Sequence, residues 1–169
     1  MQNKTNESKL YNKILLLSRN KFFYTKISLK DTFQNRIYLI FIHICFLFIK
    51  INKEKDKLFY KRFYQKIFDF TFKQIEANMR EIGYGDVTVN KNMKLLIKTF
   101  YNILLNCENY SKKSPKEKIL FLQNYLIHKN CKMIYKNNLL VEYFDNFQSF
   151  CFYLNLDSVL KGELNFKYK

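Results

Sequence analysis

The stretch Ile75–Val87, IEANMREIGYGDV, decides how the rest of the chain is read. It holds Gly83 and Gly85, two of the three glycines, and the charged residues Glu76, Arg80, Glu81 and Asp86. Upstream, Phe68, Phe72, Ile75, Met79 and Ile82 are spaced four, three, four and three, which draws one apolar stripe down a helix. Glu76 and Arg80 stand at i,i+4 with the acid first, the favourable orientation, as do Asp69 and Lys73. Gly83 falls where a helix end wants a left-handed residue, and Gly85 relaxes the turn that follows. Asp86 or Thr88 then caps a new helix, where a carboxylate also meets the positive end of the dipole. The reading is helix, sharp corner, helix. A corner alone needs the glycines; it does not need four charges.

Working outward, Met93, Leu96, Ile97, Phe100, Leu104 and Cys107 continue the helical spacing downstream. The helix before the corner begins at Leu58, after the charged linker INKEKDK, Ile51–Lys57. From Ile37 to Ile49 nearly every residue is apolar, broken by His43. That run is short of the about twenty residues a bilayer span needs and is flanked by Arg36 and Lys50, so it reads as a buried central helix with His43 as a hydrogen-bonded core histidine. Asp31 is expected to cap it, with Gln34 completing a capping box. Leu10, Ile14 and Leu17 predict a first helix ending near Arg19-Asn20, followed by an extended connector, Lys21–Lys30, pinned by Phe23 and Tyr24. Ser114-Pro115-Lys116-Glu117 is a helix start, with Ser at the N-cap, Pro next and Glu at N3. Asn137-Asn138 punctuates the chain before an apolar-aromatic segment, Leu139–Leu156. Asp157 is expected to cap a last short turn ending at Gly162, ahead of a frayed Lys-rich tail. The fold class is all-α: one helical domain over residues 1–169, with about six or seven helices and its C-terminal helices within 114–162.

Forty-eight per cent hydrophobic and 18% aromatic residues, with three Gly and one Pro in 169, fit packed helices rather than disorder. A net charge of +16 points towards nucleic acid, ribosomes or anionic membrane, and residues 1–66 carry fifteen Lys/Arg against four Asp/Glu. Only four of the thirty basic residues are Arg, however: Arg19, Arg36, Arg62 and Arg80. Abundant Lys, Asn, Ile, Phe and Tyr is the mark of a genome poor in G and C. The charge therefore reads either as functional or as solvated background, whereas each Arg marks a position suited to a planar, bidentate guanidinium. Cys45, Cys107, Cys131 and Cys151 are widely spaced with no CxxC pair, which predicts buried, reduced thiols in a reducing compartment. The polar start MQNKTNESKL and the short apolar run Ile14–Leu17 read as a mature cytosolic start. There is no phosphate-cradling glycine loop and no nucleophile–histidine–acid ordering, and Glu76 and Glu81, five apart, point in different directions. No enzyme, metal, cofactor or small-molecule substrate is expected.

The corner resembles the signature of the ubiquinol–cytochrome c chaperone family, assembly factors for the cytochrome bc1 complex. That signature runs acidic-x-x-apolar-Arg-Glu-apolar-Gly-x-Gly-Asp, and Glu76, Met79, Arg80, Glu81, Gly83, Gly85 and Asp86 match it. Glu76 stands where Asp is usual, which lengthens the reach by one methylene. Arg19, Phe23-Tyr24, Asp31-Thr32, Arg36 and His43 fall in the family's order and spacing, and MKLLIKTFYNIL is similar to its next helix, with Asn102-Ile103 where Gly-Arg is common. The family-like core covers about residues 11–106. Three of the four Arg lie at matched positions, in agreement with the argument from Lys abundance. The resemblance implies a non-enzymatic chaperone that holds newly made cytochrome b at the membrane surface until the complex is assembled. It also implies work beside the ribosome, with a small helical partner in mitochondrial relatives. The short lead before the matched region fits a bacterial member, peripheral at the cytoplasmic face of the inner membrane. The site residues it implies are Glu76, Arg80, Glu81, Gly83, Gly85, Asp86, Arg19, Tyr24, Asp31 and Arg36. A basic helical RNA- or ribosome-binding module is the alternative that the charge and the thirty-one Phe and Tyr would support.

Overall fold

An apolar helix of twenty residues can be stable only if other helices cover it, and this requirement organises the molecule. The structure, a computed structural model, describes residues 5–53, 57–126 and 134–168. The helices are α1 (Asn6–Ser18), α2 (Lys21–Thr25), α3 (Phe33–Asn52), α4 (Lys57–Glu81), α5 (Asp86–Glu108), α6 (Pro115–Tyr125), α7 (Ile134–Tyr153) and α8 (Leu156–Leu160), with a 3-10 turn at Tyr110–Lys112. Among the described residues there are thus six helices of eleven residues or more and two of five, in keeping with the all-α expectation.

Helix α3 is the axis. By length and composition it could cross a bilayer, but 78% of its apolar window lies inside the protein, packed by α1, α4, α5 and α7. Phe41 and Phe48 meet Phe68 and Phe72 of α4 through Phe100 of α5, whose ring lies 5.2–5.8 Å from theirs. Towards α7, His43 is fully enclosed by Phe23, Tyr143, Phe144 and Phe147. A carbonyl can only accept, so His43 Nδ1–H donates to Leu39 O (2.6 Å), and in the neutral ring Nε2 accepts from the Tyr143 hydroxyl (2.8 Å). Burial is the main cause that lowers its pKa to about 4, against a smaller opposing effect of the Leu39 bond. The core-histidine expectation holds.

A pH dependence follows. The unfolded chain takes up the His43 proton near pH 6.5 and the folded one only near 4. The stabilisation from keeping this ring neutral is therefore complete above about pH 6.5 and is lost as pH falls towards 4, by up to ~1.4 kcal/mol per unit and about 3 kcal/mol in all. Urea unfolding at pH 7, 5.5 and 4.5 should show this slope, and His43→Gln should flatten it.

Several local expectations are corrected. Lys21–Thr25 is helical rather than extended, because the Asn20 side chain caps it by accepting from Phe22 N (3.0 Å). Thr32, not Asp31, caps α3, accepting from Asn35 N at 3.2 Å, and Gln34 donates to the Tyr38 hydroxyl instead of closing a capping box. Asp69 accepts from Gln65 (2.7 Å) and does not pair with Lys73. Ile51 and Asn52 extend α3 into the supposed linker, whose residues 54–56 lie outside the described ones. Asn137 and Asn138 sit inside α7, and Asn155 rather than Asp157 caps α8, accepting from Asp157 N (2.9 Å). The tail is not frayed over its described residues: Leu164 is buried, and Phe166 and Tyr168 pack on Tyr143 at 5.6 and 5.0 Å. The Ser114–Glu117 capping box forms as read. Cys45, Cys107 and Cys151 are buried free thiols raised by burial; Cys131 lies outside the described residues.

Candidate functional site

The corner is built by a helix end that closes on itself. Gly83 has φ +100°, Gly83 N–H donates to Arg80 O (3.0 Å) and Tyr84 N–H donates to Met79 O (3.1 Å), the paired bonds of a Schellman cap. Gly85 needs no such freedom: its φ is −71°, and it is the N-cap of α5 without a side-chain bond. Asp86 therefore does not cap α5. Its carboxylate turns back across the corner to accept from Arg80 Nη1, while Glu76 accepts from Arg80 Nε and Nη2 at 3.2 and 2.9 Å. One guanidinium thus ties the end of α4 to the start of α5, and these two carboxylates, Asp86 foremost, raise its pKa. Such a fork needs Arg; an ammonium cannot make both contacts in the same plane. All three side chains are exposed, so the brace orients the corner more than it stabilises the fold.

The glycine at the apex is more tolerant than its place in the motif implies. A Cβ at Gly83 would meet no atom within 4 Å, so Gly83→Val carries backbone strain but no clash. The expected cost is about 1–3 kcal/mol, measured by denaturant unfolding, with the fold retained.

Arg19, Tyr24, Asp31 and Arg36, the other residues of the motif reading, come together from three elements. With Lys21 and Thr25 they line a cleft of about 430 Å³ between the end of α1, α2 and the start of α3. Arg36 binds Asp31 bidentately, Nε to Oδ1 at 2.7 Å and Nη2 to Oδ2 at 2.9 Å, and that bond raises the Arg36 pKa. Tyr24 donates to Ser18 O (2.9 Å), and burial, then Asp31, pushes its phenol pKa up. Arg19 is exposed and makes no ion pair among the described residues.

Two further clefts join this one to the corner. Arg19 and Arg36 also border a cleft of about 220 Å³ whose far wall is Ile75, Asn78 and Glu81 of α4 with Ile82 just beyond it. Phe33 and Ile37 separate it from a third, of about 350 Å³, closed by Met79, Tyr84, Leu95 and Leu96. Glu81 therefore faces the arginines of α1 and α3 and takes no part in the Arg80 brace. Around the corner, Ile82, Tyr84, Val87 and Leu95 expose 58, 42, 84 and 59% of their surface. The sequence reading missed this apolar rim. Its signal was available: Val87 and Leu95 fall out of phase with Val89, Leu96, Phe100 and Ile103, the buried positions of α5. Among the described residues no three His, Cys, Asp or Glu side chains converge as a metal site would need.

The class is thus an all-α scaffold whose candidate site is a displayed surface, one polar and two largely apolar clefts with charged side chains between them. Within that class the chain belongs to the ubiquinol-cytochrome C chaperone family, whose model matches residues 25–149. Among solved structures, the Cbp3 homolog from Brucella abortus has this fold, with a TM-score of 0.81 at 21% identity over 96% of this chain and 89% of that one. A comparison with curated proteins finds no match.

Proposed function

We propose that this chain is a non-enzymatic assembly chaperone of the ubiquinol–cytochrome c reductase (cytochrome bc1) complex that binds newly made cytochrome b at the cytoplasmic face of the membrane. The observation that carries the reading is the face just described. Residues from Tyr11 to Leu96, far apart in sequence, form adjoining clefts, a polar one at Arg19, Asp31 and Arg36 and two with largely apolar walls beside Arg19, Arg36 and Glu81. An apolar segment awaiting its membrane neighbours would be shielded by such walls, while the charges hold its polar flanks in register. Arg80, Glu76 and Asp86 set the angle of the corner, and Glu81, Arg19 and the rim of Ile82, Tyr84, Val87 and Leu95 touch the client. Ribosome and small helical partner contacts belong to the same reading, since a client is met as it is made.

Cross-linked capture from native membranes with the full chain as bait tests it. Cytochrome b should co-purify, and Arg80→Lys should reduce its yield several-fold with little change in melting temperature, because the bidentate brace is lost while no buried group is disturbed. Capture of ribosomal RNA alone, insensitive to Arg80→Lys and to Glu81→Gln, would favour the alternative RNA-binding module.

A further inference from the structure

A second exposed surface lies at the other end of α3. There Phe46, Ile49, Cys151 and Phe152 floor a cleft of about 320 Å³ between the ends of α3 and α7 and the 3-10 turn, with Lys50 and Lys53 at its rim. Among the described residues, no acidic one lines it. Phe152 and Tyr153 end α7 with 60 and 84% of their surface exposed and their rings in edge contact at 5.1 Å, the largest adjacent pair of exposed aromatics among the described residues. Lys50 Nζ stands 5.8 Å from the Phe152 ring centre, and Lys112 and Lys113 follow Ser111, which also lines the cleft.

Protruding aromatic rings seek the headgroup depth of a bilayer, and lysines beside them meet lipid phosphates. An apolar floor bordered by neutral polar side chains, with Lys50 and Lys53 as the charges on its described lining, complements an anionic amphiphile. We propose that this end of the molecule docks on an anionic lipid surface, with Phe152 and Tyr153 entering the headgroup layer and Lys50 and Lys53 against the phosphates. The assignment rests on the membrane-surface placement proposed above. It also separates the two duties, since Arg36 and Lys50 lie about 20 Å apart along α3 at the helical rise, with client clefts at one end and lipid at the other.

The chain contains no Trp, so Phe152→Trp gives a single fluorophore at the docking face and Val87→Trp one at the corner. With vesicles of phosphatidylcholine and phosphatidylglycerol at low salt, the Phe152→Trp emission should shift to the blue. It should return as salt is raised and stay unchanged on phosphatidylcholine alone. Val87→Trp should not shift. The double variant Phe152→Ser, Tyr153→Ser should keep its melting temperature and lose about tenfold in vesicle co-sedimentation. Failure of the wild-type chain to co-sediment overturns the proposal, as does co-sedimentation without a Phe152→Trp shift, an unaffected double variant, or a shift at Val87→Trp instead. A Phe152→Trp shift in a chain that captures no cytochrome b would sink the chaperone reading and leave lipid docking in place.

Discussion

Phe100→Ala is expected to cost about 3–5 kcal/mol and to lower the melting temperature by about 10 °C. Phe100 is 1% exposed, and its ring is a point where α3, α4 and α5 meet: Phe41 and Phe48 approach from α3 and Phe68 and Phe72 from α4. Truncation removes the transfer free energy of a whole ring and leaves a cavity walled by four others. Those rings stem from two long helices, α3 and α4, that are also held elsewhere, so the cavity cannot collapse without moving a helix. The aromatic pairs lost with the ring add a further share. Phe100→Leu should recover most of the loss. A change within about 1 kcal/mol for Phe100→Ala, measured by urea unfolding, would mean that the helices do not converge on this ring.

Gly162→Val is expected to destabilise by about 2–6 kcal/mol, well beyond Gly83→Val, although both glycines end helices in the same way. Gly162 has φ +78°, Gly162 N–H donates to Val159 O and Glu163 N–H to Ser158 O, each at 2.9 Å, repeating the cap found at the corner. The surroundings differ. A Cβ at Gly162 would lie 2.6 Å from Lys9 Cβ and 2.7 Å from Asn6 O, atoms of α1 that have no flexible side chain to withdraw. Backbone strain and overlap therefore add, and α1 or the tail must move. The tail buries Leu164 and carries Phe166 and Tyr168 onto Tyr143, so its release should show as early proteolysis after α8. Equal losses for Gly83→Val and Gly162→Val would contradict this packing.

The contrast between the two glycines shows where the sequence was legible. Helix-end chemistry is local, and Gly83, the α4 stripe as far as Met79, the Ser114 capping box and the buried run of α3 could all be read from spacing, whereas Ile82, read as the end of the stripe, lies past α4 and is 58% exposed. What a glycine approaches after the chain has folded is not local, so Gly162 read as a simple stop and its contact with α1 left no mark. Competing local donors explain the smaller corrections. Asp31 and Thr32 could each cap α3, and Arg36 drew Asp31 away; Asp86 was likewise taken by Arg80, leaving Gly85 as a bare N-cap. Asn20 is a good cap, and it turned an apparently extended connector into α2.

The site was half visible in the same sense. Scarce arginine among abundant lysine singled out Arg19, Arg36, Arg62 and Arg80, and the structure gives two of the four, Arg36 and Arg80, bidentate or forked partners. That Arg19 and Arg36 share a cleft wall with Glu81 depends on α1, α3 and α4 packing side by side, which no spacing records. The apolar rim, by contrast, could have been read from the phase of α5. An exposed Val87 or Leu95 looks like any other apolar residue until the helix phase is known.

The central claim is that this face serves assembly of the cytochrome bc1 complex, and the most direct measurement is the amount of assembled complex in membranes of cells lacking this gene. The account predicts that assembled complex falls to a small fraction of normal while the cytochrome b transcript is unchanged, and that it is restored by the wild-type chain but not by a chain carrying Arg80→Lys with Glu81→Gln. Normal levels of assembled complex in the deletion strain would contradict it.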